Sequence, residues 1–108
     1  MDLRAIQAAA VANKRAKGLN TTDIALEFAL LAAEVGEAIT AWRRALPDFP
    51  EELADIQLYL VALADMTGVD LQDAVEHKMR INEARRYRRD DRGVPIKVTE
   101  PTEPGAVR

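Results

Sequence analysis

Apolar residues recur along this chain mostly in steps of three and four, the period that aligns one face of an α-helix. Residues 2–17 read as a first helix, rich in Ala, Lys and Arg and closed by Gly18. Thr21, Thr22 and Asp23 offer N-caps for a second. Its positions Ile24, Phe28, Leu31, Val35, Ala38 and Trp42 form a seam that predicts packing against another helix, and Pro47 is expected to stop it. Pro50 suits the first turn of a third helix, expected from about Glu51 to Thr67, before Gly68. Asp70 and Asp73 resemble a capping box and open a fourth, expected to reach about Arg89. Val94, Pro95, Ile96, Lys97 and Val98 read as a short extended arm, and the polar residues 99–108 as a fraying end.

The predicted fold class is therefore all-α: an antiparallel bundle of about four helices over residues 1–93, with an extended or flexible tail over residues 94–108. A chain of 108 residues leaves part of the second-helix seam uncovered, so homo-oligomerisation is expected to complete the bundle. Composition agrees, with 48% hydrophobic residues but only 5% aromatics, a balance that suits packed helices better than a β-sandwich. The absence of Cys excludes disulfides, thiolate metal sites and a Cys nucleophile. Neither a signal peptide nor a membrane-spanning apolar run is evident, which makes a cytoplasmic protein the expectation.

Charge adds a second layer. The net charge of −3 conceals a split: residues 27–55 carry seven acids and two Arg, whereas residues 77–97 carry eight Lys or Arg and three acids. Within the acidic part lie two pairs, Glu34 with Glu37 and Glu52 with Asp55. Spacing of i, i+3 places both members of a pair on one side of a helix. The fourteen residues between Glu37 and Glu52 allow one helix to end and the next to return, so four carboxylates can converge. Such a cluster repels itself unless a cation joins it, and oxygen-only ligands suit a hard ion such as Mg²⁺. Glu52 and Asp55 also lie among Ile56, Tyr59, Ala62, Leu63 and Met66, the apolar stripe of their own helix, where charge is costly unless paired or coordinating. Set against this, acids on helices are commonly just solvated; Glu51 and Glu27 are read that way.

The basic segment offers complementary chemistry. Lys78 and Asn82 are spaced i, i+4, with Arg85 about one turn on, and Lys and Arg both hold phosphate. Plain solvation is the competing reading, strongest for Arg88 and Arg89. Trp42 either packs in a core or interface or stacks on a base. The lone His77 is read as incidental, and no Gly-rich phosphate loop or zinc-type spacing is present.

The segment Leu31-Ala-Ala-Glu-Val-Gly-Glu-Ala38, followed by Glu51-Glu-Leu-Ala-Asp-Ile-Gln-Leu-Tyr-Leu60, resembles the MazG-like all-α nucleoside triphosphate pyrophosphatases, whose pattern is E-x-x-E, a short connection, then E-x-x-D. The turn at Thr67-Gly-Val-Asp-Leu71 and the segment Lys78-Met-Arg-Ile-Asn82 fit its continuation, and the resemblance covers roughly residues 22–88. It implies hydrolysis of (d)NTPs to (d)NMP and pyrophosphate with Mg²⁺, or Mn²⁺ in its place, in nucleotide-pool cleansing. By carry-over, Glu34, Glu37, Glu52 and Asp55 are the metal ligands, and Glu37 or Glu34 orients the attacking water. Lys78 and Asn82 match positions contacting phosphate or sugar, Arg85 and Trp42 join them as candidate substrate contacts read from the residues themselves, and a dimer or tetramer is the implied assembly. One departure is Ala33, where many relatives carry a further acid. Two alternatives stay open: a phosphoribosyl-ATP pyrophosphatase, and a non-enzymatic helical module whose acids merely bind metal. Nucleic acid is disfavoured as a partner, because Asp90 and Asp91 interrupt the arginine cluster.

Overall fold

The structure, a computed structural model, describes residues 1–99. Four helices, α1 (Leu3–Ala16), α2 (Ile24–Arg43), α3 (Phe49–Met66) and α4 (Leu71–Ala84), precede two strands, β1 (Arg86–Arg89) and β2 (Pro95–Thr99). All four expected helices are present, and the fold is all-α apart from this terminal hairpin. The chain divides into one unit over Met1–Gln72 and a second that begins at Asp73.

Local chemistry sets the helix ends of the first unit. The Asp2 carboxylate caps α1 by accepting from the Ala5 amide at 2.8 Å, and Asp23 caps α2 from the Leu26 amide at 3.0 Å. Each of the first three helices closes with an amide reaching back five residues: Leu19 to the Lys14 carbonyl, Leu46 to Ala41 and Val69 to Ala64. The turning residue is left-handed in each, Gly18 at φ 66°, Ala45 at φ 52° and Gly68 at φ 74°. The two glycines adopt it freely, while Ala45 carries a steric cost. Helix α2 therefore stops ahead of Pro47 rather than at it, because the chain has already turned at Ala45.

Helix α3 is the centre of this unit and packs against both α1 and α2. Its consecutive residues Val61, Ala62, Leu63 and Ala64 are all buried, with Val11 of α1 and Ala38 and Ala41 of α2 completing the core. The start of α1 is tied to the α3–α4 turn by the Arg4–Asp70 ion pair at 2.8 Å and by Gln7, whose amide donates to the Val69 carbonyl and accepts from the Leu71 amide.

The expected seam of α2 is buried only in part, at Ala38 and, half-buried, at Leu31. Ile24, Phe28, Val35 and Trp42 are all exposed, Trp42 by 68%, so Trp42 is not packed in the core of this chain. The stripe turned inward runs instead through Glu27, Glu34, Ala38 and Ala41, with Glu34 half-buried. Small Ala side chains let α2 approach α3 closely, and the acids on that stripe are turned inward with them. Apolar residues occur all round this helix, so steps of three and four did not single out one face.

In the second unit α4 ends at Ala84, five residues short of the expected Arg89. Arg86–Arg89 pairs antiparallel with Pro95–Thr99, with a register shift between Arg86 and Tyr87. The connecting loop is organised by Asp90, whose carboxylate accepts from the Arg92 amide at 2.9 Å and the Val94 amide at 2.8 Å. Arginine favours helix locally, but pairing with the β-branched arm overrides that preference. The fraying expected beyond Thr99 falls outside the described residues. No described helix is long and apolar enough to cross a membrane.

Candidate metal centre

Three acids converge where α2 faces α3. Oxygens of Glu34, Glu37 and Glu52 all lie within 4.8 Å of one another. Glu34 and Glu37 come from one turn of α2, and Glu52 from the first turn of α3. Glu34 and Glu52 are half-buried and Glu37 is exposed. Among the described residues, Oε2 of Glu34 and Oε2 of Glu52 are buried without a hydrogen-bond partner. Asp55 stands outside this triplet but close enough for its charge to act on both Glu34 and Glu52.

Burial pushes the Glu34 carboxyl up to about 7, helped by a shared hydrogen bond with Glu37 and by the charges of Glu37, Asp55 and Glu52. Glu52 is also raised, by burial first and then by Glu37, Asp48 and Asp55. Like charges gathered in a partly dry site favour protonation unless a cation is present. Hard oxygen donors, two of them buried and unpartnered, are the ligand set that Mg²⁺ or Mn²⁺ takes, so the residues fit such an ion.

A second arrangement, not anticipated from the sequence, lies behind the acids. Glu27, read as an ordinary surface residue, is fully buried. Its Oε2 receives Lys14 Nζ at 2.5 Å, and its Oε1 receives Asn20 Nδ2 at 3.3 Å. The Lys14 side chain is only 13% exposed, and Nζ also lies 5.5 Å from the centre of the Tyr59 ring. Burial and the negative charges of Glu34, Glu27, Asp55 and Glu37 raise the Tyr59 hydroxyl, which holds it in its protonated, donating form. One sequence signal did exist: Lys14 follows the buried Val11 by three residues, on the inward side of α1.

Between α1 and α3 a cavity of about 690 Å³ opens, lined by Ile6, Ala9, Ala10, Lys14 and Tyr59 among others, with Asp55 and Gln57 in its wall. Of the remaining sequence-derived candidates, Trp42 lies near the end of α2, facing outward. Lys78 and Asn82 are exposed on α4, and the Asn82 amide oxygen accepts from Arg85 Nη1 at 3.0 Å.

No family model matches the chain. A dATP/dGTP diphosphohydrolase of cyanophage S-2L is 38% identical over 66 residues, which is 61% of this chain and 60% of that protein's own length, less than two thirds of it. A solved structure described as the cyanophage S-2L MazG-like pyrophosphohydrolase, bound to dGDP and three catalytic Mn²⁺ ions per active site, is 28% identical. Its TM-score is 0.69, and the match covers 92% of this chain and 99% of that one.

Proposed function

We propose that this chain, which belongs to the MazG-like all-α family, is a metal-dependent pyrophosphohydrolase that cleaves (d)NTPs to (d)NMP and pyrophosphate. The observation that carries the reading is the Glu34, Glu37 and Glu52 cluster, whose oxygens lie within 4.8 Å and include two buried atoms that no protein donor satisfies among the described residues. These three carboxylates, with Asp55 beside them, would hold Mg²⁺ or Mn²⁺. An ion there neutralises phosphate charge and lowers the pKa of bound water.

The chain's own residues supply the rest. Glu37, the most open of the three, is placed to orient the attacking water, with Glu34 beside it to share the proton. As the bond to the leaving pyrophosphate breaks, the water's oxygen joins the phosphorus and its proton passes to carboxylate. Lys78, Asn82 and Arg85 are assigned to phosphate and sugar on the motif match of α4, and Trp42 to the substrate on its position after Glu37. The relative's action on dATP and dGTP supports purine deoxynucleotides as the first substrates to test. The exposed apolar row of Ile24, Phe28, Val35 and Trp42 supports self-association as a dimer or tetramer. A cytoplasmic location, among the nucleotide pools, accords with that substrate.

The test is pyrophosphate release from a panel of dNTPs and phosphoribosyl-ATP with Mg²⁺, for the native chain, Glu37→Gln and Asp55→Asn. Metal-dependent release that both substitutions abolish, with helical content intact, is the expected result. Turnover that survives both, or no release from any nucleotide, would overturn the reading.

A further inference from the structure

One polar group of the first unit is left unsatisfied away from the acid cluster. Gln57 projects from α3 into the wall of the α1–α3 cavity, and its Nε2 is buried with no hydrogen-bond partner among the described residues. A buried amide donor without an acceptor is costly, and a ligand that supplies the acceptor removes that cost. The surrounding wall is apolar and built from small residues, Ala9 and Ala10 on α1 and Ala54 on α3, with Leu58 beside them. Small side chains leave a slot for a flat ring. Lys14, in the same wall, is already paired with Glu27 and is therefore not a free phosphate clamp. Asp55 belongs to both places: it lines the cavity, and its charge acts on Glu34 and Glu52. A nucleotide with its phosphates at the acids thus has a largely apolar slot within reach, where Asn13 and Gln57 both bring amides to the wall and the Gln57 Nε2 is the one buried without a partner among the described residues.

We propose that Gln57 is a specificity-determining residue that reads the edge of a purine base seated in the α1–α3 cavity. This rests on the pyrophosphohydrolase reading of the carboxylate centre. A glutamine amide pairs with the N6 and N7 positions of adenine together, and its N–H donates to O6 or N7 of guanine. The cavity of about 690 Å³ lies within the usual range for a small-molecule site and accepts the two-ring base. A pyrimidine anchored by the same phosphates ends one ring short of the amide.

Two measurements decide it. In the first, dGMP, dAMP and dCMP are titrated into the isotope-labelled native chain with Mg²⁺, and amide resonances are followed by NMR. The purine monophosphates should move the Gln57 side-chain NH₂ signal and the backbone signals of Ala9, Ala10 and Leu58, with dCMP moving them much less. Shifts that leave the Gln57 signal in place, or equal shifts with dCMP, overturn the proposal. In the second, Gln57→Leu, checked for helical content and Mn²⁺ binding, should lower the purine-to-pyrimidine ratio of kcat/KM by about tenfold or more, as expected for loss of one buried hydrogen bond to the base. An unchanged ratio overturns it too. Should the native chain release no pyrophosphate at all, the hydrolase reading falls, while the NMR map still decides where the base binds.

Discussion

Replacing Lys14 by Met isolates the buried ion pair and makes a demanding test of the packing described above. Glu27 is fully buried, and Lys14 Nζ at 2.5 Å is its main partner, with Asn20 a longer contact at 3.3 Å. Methionine retains most of the aliphatic stem, so the change removes charge far more than volume. The carboxylate left behind is uncompensated, and breaking a buried pair from one side costs about 3–5 kcal/mol. A chain of this size is stable by only about 5–15 kcal/mol in total, so the variant should lose about a fifth of its stability or more. In urea unfolding followed by circular dichroism at fixed protein concentration, with slopes of about 1–3 kcal/mol/M, the midpoint should fall by about 1 M or more. Adding Glu27→Leu to Lys14→Met removes the orphaned charge and should restore stability to within about 1 kcal/mol of the native chain, the remainder including the lost contact with Tyr59. A single variant costing less than about 1 kcal/mol would match an exposed salt bridge and refute the reasoning, as would a double variant less stable than the single.

Other expectations are accessible with the same material. The Glu34 carboxyl is raised from 4.5 to about 7, so between those values the folded chain holds a proton that the unfolded chain has released. Stability of the metal-free chain should therefore fall as pH rises through that window, while Mg²⁺ affinity rises, and Glu34→Gln should flatten both trends in urea melts with and without the ion. Ala45→Gly relieves the left-handed strain at φ 52° and should stabilise by about 0.5–1 kcal/mol, an increase that thermal unfolding will detect or deny. Phe28→Glu places charge on the exposed apolar row of α2 and should shift the sedimentation of the chain to a smaller species. An unshifted profile would refute self-association through that row.

What the sequence determined by itself was whatever local rules dictate. Capping acids, helix-stopping glycines and the three-and-four spacing announced four helices, and Asp2, Asp23, Gly18 and Gly68 act where such residues should. The acid pairs were legible for the same reason: i, i+3 spacing within a helix is a local fact, and one short connection brought Glu34, Glu37 and Glu52 together. Tertiary structure decided what spacing leaves open. Helix α2 is apolar on several sides, so only docking on α3 selected the face bearing Glu27, Glu34, Ala38 and Ala41 and left Phe28 and Trp42 in solvent. Lys14 and Glu27 meet across a turn that no periodicity describes, and the strand at Arg86–Arg89 exists because a later segment pairs with it. Gln57 reads as one more polar residue on α3 until α1 closes over it and leaves its amide without an acceptor among the described residues. Helix periodicity is set by neighbours in the chain, whereas burial is set by neighbours in space, and the chemistry of this site depends on both.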